Sequence, residues 1–337
     1  MKAFTVYLSV LLLAGVAAAG DIARKGTSGA DQLLIPVGAR SIGVGGAFLA
    51  NSIGVESIYY NPAGLAGVKR TEVMFSYMNY IADINVSYFS AGFNIGDVGS
   101  FGLSFKTIEA GDIPVTTVEN PDGTGANFAP SFFTAGLTYS KQVTDILRAG
   151  GTVKFVNESI LATSARGIAL DFGVQYRFAG NLALGVAVKN LGSNMKYSGQ
   201  DLQVRTDVPG ATPTTPGTGL FEPVVESFQL PSYFEMSTTY EFKMSGQNAL
   251  MVGSTYRSNN ALEDEWMFGA EFQFSKYFAL RGGHDLFVQN RASTQYDWTF
   301  GGGFAYTLEA FSVNVDYAYR AVDTFKGNNI IAVRLGF

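Results

Sequence analysis

The sequence predicts an all-β chain, a 14-stranded antiparallel transmembrane β-barrel carrying an N-terminal luminal hatch. Three observations predict it. Long segments alternate apolar with polar or small residues. The connections between those segments alternate in length. The composition joins little charge to much glycine and aromatic carbon, with 15% Asp, Glu, Lys and Arg, 40 Gly, 27 Phe and 17 Tyr in 337 residues. A soluble domain carries about 25% charged residues, whereas a barrel that meets lipid presents an apolar band with aromatic girdles.

Composition also excludes chemistry. With no Cys there is no disulfide, zinc–thiolate site, iron–sulfur cluster or Cys nucleophile. One His cannot build a His-rich metal site, so no metal and no cofactor is expected. A net charge of −5 without a basic cluster argues against nucleic acid as a partner.

Residues 1–20 read as a signal peptide. Lys2 is followed by an apolar run from Val6 to Val16 and then Ala17, Ala18 and Ala19, a small-residue cleavage pattern. The run is too short for the roughly 20 residues of a spanning helix. Loss of Lys2 with the leader makes the chain one unit more negative than the −5 of the whole.

Fourteen alternating segments follow a gap, with approximate spans 70–79, 84–95, 98–108, 131–142, 147–158, 166–178, 182–193, 231–243, 248–257, 264–275, 277–287, 296–307, 311–321 and 328–337. The last places Ile331, Val333, Leu335 and Phe337 on one face and Ile330, Ala332, Arg334 and Gly336 on the other. Such period-2 runs of ten or so residues suit tilted membrane strands of about 9–11 residues better than soluble strands of about 5–6. Length therefore favours the barrel over a soluble β-sandwich.

Connection lengths test the count. In a barrel whose N-terminus is periplasmic, every even-numbered connection is a short periplasmic turn. Those at 96–97, 143–146, 179–181, 244–247, 276 and 308–310 are short. Both long connections, 109–130 and 194–230, are odd-numbered and face outward. One miscounted strand would break this parity.

Residues 21–69 hold many glycines and no long alternating segment, ahead of a barrel at 70–337. A fourteen-stranded lumen is wider than the eight-stranded kind that side chains alone fill, so this segment is expected to fold inside as a plug. Glu56 to Tyr60 suit one helical turn, stopped by the restriction that Pro62 places on Asn61.

GARSIGVGGAFLA at 38–50 and ESIYYNPAGLAG at 56–67 resemble the start of the PorV/PorQ family, which sits with the FadL-like outer-membrane proteins. The resemblance is strong over about 30 residues and architectural elsewhere. It implies an outer-membrane barrel of a Gram-negative bacterium resembling FadL-type channels, for uptake or passage of hydrophobic small molecules. The alternative is a type IX secretion system-associated protein that binds or shuttles exported cargo. Residues carried over are Gly38, Ala39, Arg40, Gly45, Gly46, Ala47, Phe48, Asn61, Pro62, Ala63, Gly64 and Leu65, as hatch and wall contacts. Asn51, Ser52, Ile53 and Gly54 stand where an acidic pair is common in the family, which argues against a cation site there. Phe337, closing the last alternating strand, resembles the signal read by the barrel assembly machinery.

Gly45 and Gly46 also read simply as tight turns packed under the wall, and Asn61 before Pro62 as a plain turn. Arg40 reads as a buried hatch-to-wall ion pair rather than a ligand site. Parity directs Lys106, Arg148, Lys154, Glu158, Asp171, Arg177, Lys189, Glu235, Glu241, Arg257, Glu271, Arg281, Asp285, Asp316, Arg320 and Arg334 into the lumen, both signs mixed, as a pairing network. His284 faces outward near the outer rim with no Ser marked as its partner, so no enzyme is expected. In the long outer connection, Leu220, Phe221, Val224, Val225 and Phe228 are candidates either to cap the mouth or to catch an apolar ligand.

Overall fold

The computed structural model describes residues 26–207, 217–288, 296–309 and 311–337. The leader at 1–20, and Pro209, Pro213 and Pro216 of the long connection, lie outside the described residues.

Fourteen strands close one barrel. They are β1 (Glu72–Asn79), β2 (Asn85–Asn94), β3 (Ser100–Glu109), β4 (Ser131–Thr144), β5 (Leu147–Ile160), β6 (Thr163–Arg177) and β7 (Leu182–Gly192) in the first half. The second half is β8 (Tyr233–Lys243), β9 (Ala249–Asn259), β10 (Glu265–Phe274), β11 (Phe278–Phe287), β12 (Tyr296–Thr307), β13 (Ser312–Val322) and β14 (Asn328–Gly336). Each pairs antiparallel with its neighbour, and β14 closes on β1 from Glu72↔Gly336 to Asn79↔Asn329. Closure leaves no unpaired edge, the condition for a sheet to stand in lipid.

The alternation in sequence becomes an inside and an outside. One register row runs Ile168, Phe155, Ala135, Phe105, Phe89, Phe75, Val333, Val315, Phe304, Phe278, Phe274 across eleven strands, all outward. A one-residue slip anywhere would turn such a row into the lumen. No helix among the described residues is long and apolar enough to cross a membrane; the strands supply the crossing surface.

The strand count matches expectation, as do the short connections on the lower rim, the one where the chain enters β1 at Glu72 and leaves β14 at Gly336. Boundaries differ most at β5 and β6, which run on to Ile160 and start at Thr163 rather than 158 and 166. A two-residue turn with Leu161 at φ 52° joins them, so the ladder continues after the hydropathic alternation lapses. The long upper connections carry small hairpins, Ile113–Pro114 with Asn127–Phe128 and Val204–Asp207 with Thr218–Phe221.

Residues 26–71 run through the lumen in short turns: Asp31–Leu33, helix α1 (Ala39–Gly43), Leu49–Asn51, helix α2 (Ser57–Tyr60) and Pro62–Gly67. Helix α2 ends where Asn61 turns extended, at φ −144°, ahead of Pro62. The wall admits this irregular chain by lacking side chains where the two touch. A Cβ at Gly173 would lie 2.0 Å from Asn61 Oδ1, one at Gly150 2.6 Å from Pro62 O, and one at Gly185 2.5 Å from the Ala50 Cα. At Gly269 it would meet Val44 O at 2.3 Å, and at Gly283 the Val44 carbonyl carbon at 2.3 Å.

Gly283→Leu is expected to unseat the hatch while the barrel still closes, at a cost of about 1–3 kcal/mol. Limited proteolysis should cut within 26–71 in the variant and not in the parent; equal protection would show that the wall yields.

Candidate functional site

The hatch has no strand ladder of its own, so its main-chain groups need partners from the wall. A buried unpaired carbonyl costs about as much as a lost hydrogen bond. Lys106 Nζ donates to Gln32 O at 2.6 Å and Ile35 O at 3.0 Å, and Lys189 Nζ to Tyr59 O. Both ammonium groups lie over the Tyr59 ring, 4.9 and 4.1 Å from its centroid. Gln175 Nε2 donates to Leu49 O and Ser52 O, Ser140 Oγ to Ala63 O, Ser237 Oγ to Ala47 O. In the other direction, Asn61 Nδ2 donates to Val174 O and Val186 O of β6 and β7, while its Oδ1 caps Ala63 N.

The residues carrying the two hatch motifs divide among these contacts. Gly38, at φ 80°, donates its N–H to Ser76 Oγ, and a Cβ there would strike Glu56 Oε1 at 2.3 Å. The Glu56 carboxylate beneath it accepts from Ser41 N. Ala39, Ala47 and Phe48 are buried. Gly45 and Gly46 carry the chain against β10 and β11. Leu65 packs on Gly92 and Gly102, and Gly64 leaves room for Ser52 O. Pro62 and Ala63 are buried against β5.

Below α1 lies a chain of four charges. Arg40 forks onto Glu271, with Nε and Nη2 at 3.0 and 2.9 Å from the two carboxylate oxygens. Arg281 Nε reaches Glu271 Oε2 at 2.6 Å, and its Nη1 reaches Asp316 Oδ1 at 2.7 Å. Gly303 leaves the space this fork occupies; a Cβ there would sit 2.3 Å from Asp316 Oδ1. These residues line a pocket of about 240 Å³ toward the lower rim, together with Arg334 and Lys276.

Above α1 lies a larger chamber of about 500 Å³. Ile42, Gly45, Gly46 and Met267 form its floor, and Ile35, Tyr60, Tyr80, Phe287 and Tyr296 much of its sides. Tyr80 and Tyr296 share a hydrogen bond of 2.5 Å between their hydroxyls. Burial holds the Tyr60 phenol well above the usual tyrosine range, so it stays neutral and donates to Val37 O at 2.9 Å. Arg257 is held between Glu235 and Glu265, at 2.8 and 2.9 Å. The Arg320 guanidinium lies over the Tyr296 ring, 3.7 Å from its centroid. A volume of this order fits a small molecule, for which sites run about 300–1,000 Å³.

The strand register stacks these levels. Glu271 pairs with Arg281, Gly269 with Gly283, and Met267 with Asp285. Across β12, Gly303 faces Asp316, Gly301 faces Ala318, and Thr299 faces Arg320. From the lower rim up, the lumen face thus reads latch, bare contact ring, chamber.

A fourteen-stranded closed barrel with its N-terminal segment folded inside is the decisive observation. The fold is that of FadL-type hydrocarbon channels. The Ralstonia pickettii toluene transporter TbuX aligns with 89% of this chain and 98% of its own, at 14% identity and a TM-score of 0.55. The Pseudomonas putida toluene transporter TodX covers 88% and 96% at 11% identity and TM-score 0.55. A Pseudomonas aeruginosa FadL homologue covers 90% and 98% at 11% identity and TM-score 0.52. No family model and no curated protein sequence matches the chain.

The candidates of the long upper connection do not form one cluster. Phe228 packs on Tyr197 and sits where a Cβ at Gly29 would reach its ring at 2.5 Å, so it ties the connection to the start of the hatch. Leu220, Phe221 and Val224 are exposed and Val225 half-buried. His284 faces outward, stacked on Trp298 at 4.3 Å with Nδ1 2.9 Å from Asp297 Oδ1. Among the described residues no group of three His, Asp or Glu is placed to hold a metal. The chamber residues Tyr80, Phe287 and Tyr296 carry no motif. The only sequence signal for them was their place at the upper ends of strands.

Arg281 bridges two carboxylates, whereas Arg40 adds a second cation to one of them. Arg281→Ala is therefore expected to cost about 3–5 kcal/mol by stranding buried charge, and Arg40→Ala about 1–3 kcal/mol. Urea midpoints of the two variants check this; the reverse order would remove Arg281 from the centre of the latch.

Proposed function

We propose that the chain is a plugged channel of the bacterial outer membrane that passes small hydrophobic molecules. The observation that carries this reading is the chamber above α1. It is of ligand size, walled largely by apolar and aromatic side chains, and set in a barrel shaped like solved hydrocarbon channels. Water would resist apolar solutes in an open pore, so a chamber that shields them lowers the barrier to passage.

The geometry names the step that passage needs. Ile42 of α1 lies against the chamber and Arg40 against the lower pocket. A solute moving from one to the other displaces this short helix. The twelve motif residues, Gly38 to Arg40, Gly45 to Phe48 and Asn61 to Leu65, then act as the seat from which the hatch moves and to which it returns. Leu220, Phe221 and Val224 form an exposed apolar landing surface at the upper rim, taken as the outer face. Phe228 anchors that surface to the hatch. On the two hatch motifs the finer assignment is to the PorV/PorQ members of the FadL-like group. Phe337, exposed at the lower rim with its N–H on Thr71 O, serves as the address for barrel assembly.

Uptake of radiolabelled toluene by cells with an otherwise intact outer membrane tests the channel. Expression of the parent should speed uptake over an empty vector. Ile42→Trp, which fills the chamber floor, should return the rate toward that of the vector. A parent no faster than the vector would refute transport of this solute class and favour the cargo-binding alternative.

A further inference from the structure

The outer surface of the wall carries a groove of about 410 Å³ at the upper ends of β4, β5 and β6. Its lower part is aromatic. Phe133 lies between Phe105 and Phe155 on neighbouring strands, with ring centroids 5.7 and 5.8 Å away, and Phe133 and Phe155 line the groove. Its upper part is polar, with Asn157, Ser159, Ser164 and Arg166. The register sets Phe133, Asn157 and Arg166 in one outward row and Ser131, Ser159 and Ser164 in the next.

The height of this change follows from β6. Its outward side chains run apolar from Phe178 through Tyr176, Val174, Phe172 and Leu170 to Ile168. Ten residues at about 3.3 Å each, tilted by about 40°, climb about 25 Å, the height of a barrel's apolar band. Arg166 is the next outward residue, so it stands at the upper edge of that band. Its Nε donates to Asn157 Oδ1 at 3.2 Å, and Asn157 is only 8% exposed. That bond holds the guanidinium to the wall, while Arg166 itself stays exposed. Among the described residues no other group pairs with it, and the lining of the groove holds no Asp or Glu. Asp201, near the turn above, already accepts from Ala162 N at 2.6 Å.

The aromatic half continues the row of side chains that meets lipid, so acyl chains cover it. The polar half then meets the headgroup those chains carry. A neutral headgroup leaves the guanidinium without a counter-charge at the edge of a low-dielectric layer. A phosphate gives it a bidentate partner, with the Ser159 and Ser164 hydroxyls as further donors.

We propose that this groove binds a phosphate-bearing lipid of the outer leaflet, its acyl chains on Phe133 and Phe155 and its phosphate on Arg166. The assignment does not depend on what the chamber passes.

The test is calorimetric binding to the purified full chain in mild detergent. The probes are dioctanoyl phosphatidic acid, dioctanoylglycerol with the same chains and no phosphate, and inorganic phosphate. The parent is expected to bind the phosphatidic acid about tenfold tighter than dioctanoylglycerol, the factor that a hydrogen bond between charged groups supplies. Arg166→Gln should erase that preference, and Phe155→Ala should weaken both lipids alike. Both variants are scored only with the heat-modifiable gel migration of a closed barrel. Equal affinity of the parent for the two lipids, or a preference that survives Arg166→Gln, overturns the site. Inorganic phosphate bound as tightly as the phosphatidic acid overturns the lipid and leaves a site for free phosphate.

Discussion

The structure depends on placing an irregular main chain inside a barrel without stranding its polar groups. A fourteen-stranded lumen is too wide for side chains to fill, and a ladder-free segment brings in carbonyls and N–H groups that water would otherwise satisfy. The wall answers on alternate positions of single strands. On β6, Gly173 gives up its side chain so that Asn61 can approach, and Gln175, two residues on, donates to Leu49 O and Ser52 O. Bareness where backbone must touch, and a donor where a carbonyl needs one, recur from β3 to β12. The same rule explains why so much glycine sits in strands, where it is normally disfavoured.

Charge inside the lumen follows from this packing. Lysines 106 and 189 are buried to hold hatch carbonyls, and Lys154 meets Asp171 at 2.7 Å where β6 and β7 slip register. The Arg40, Glu271, Arg281 and Asp316 chain closes the lower side of α1. Each of these charges is matched within the protein. The chamber differs, since Ile35, Tyr80, Phe287 and Tyr296 stand around an open space of about 500 Å³. Its size and aromatic sides are why the chamber, rather than the latch, carries the binding argument.

Much of the architecture was legible along the chain. Period-2 alternation fixes which side chains meet lipid, because a strand has only two faces, and the parity of connection lengths guards the count. Glu56 to Tyr60 read as a turn ended by Pro62, and the chain does turn extended at Asn61. Less was legible about contacts. Arg40 reads as a wall-directed cation, yet its partner Glu271 lies 231 residues on. Nothing local marks Glu271 above the other inward carboxylates. The apolar residues of the long upper connection read as one group. Instead the chain splits them, Phe228 folding onto Gly29 while Leu220 and Phe221 ride an exposed hairpin.

The sequence by itself determined the barrel, its fourteen crossings, the sidedness of each strand and the presence of a plug, because all of these follow from local periodicity, length and the chain's own connectivity. Only the tertiary structure decided which glycines face the hatch, which charges form the latch, and that Tyr80, Phe287, Tyr296, Arg320 and Asp285 enclose one space. Those depend on strand register around a closed ring and on the path of an irregular segment through it. Neither leaves a periodic trace in the order of residues.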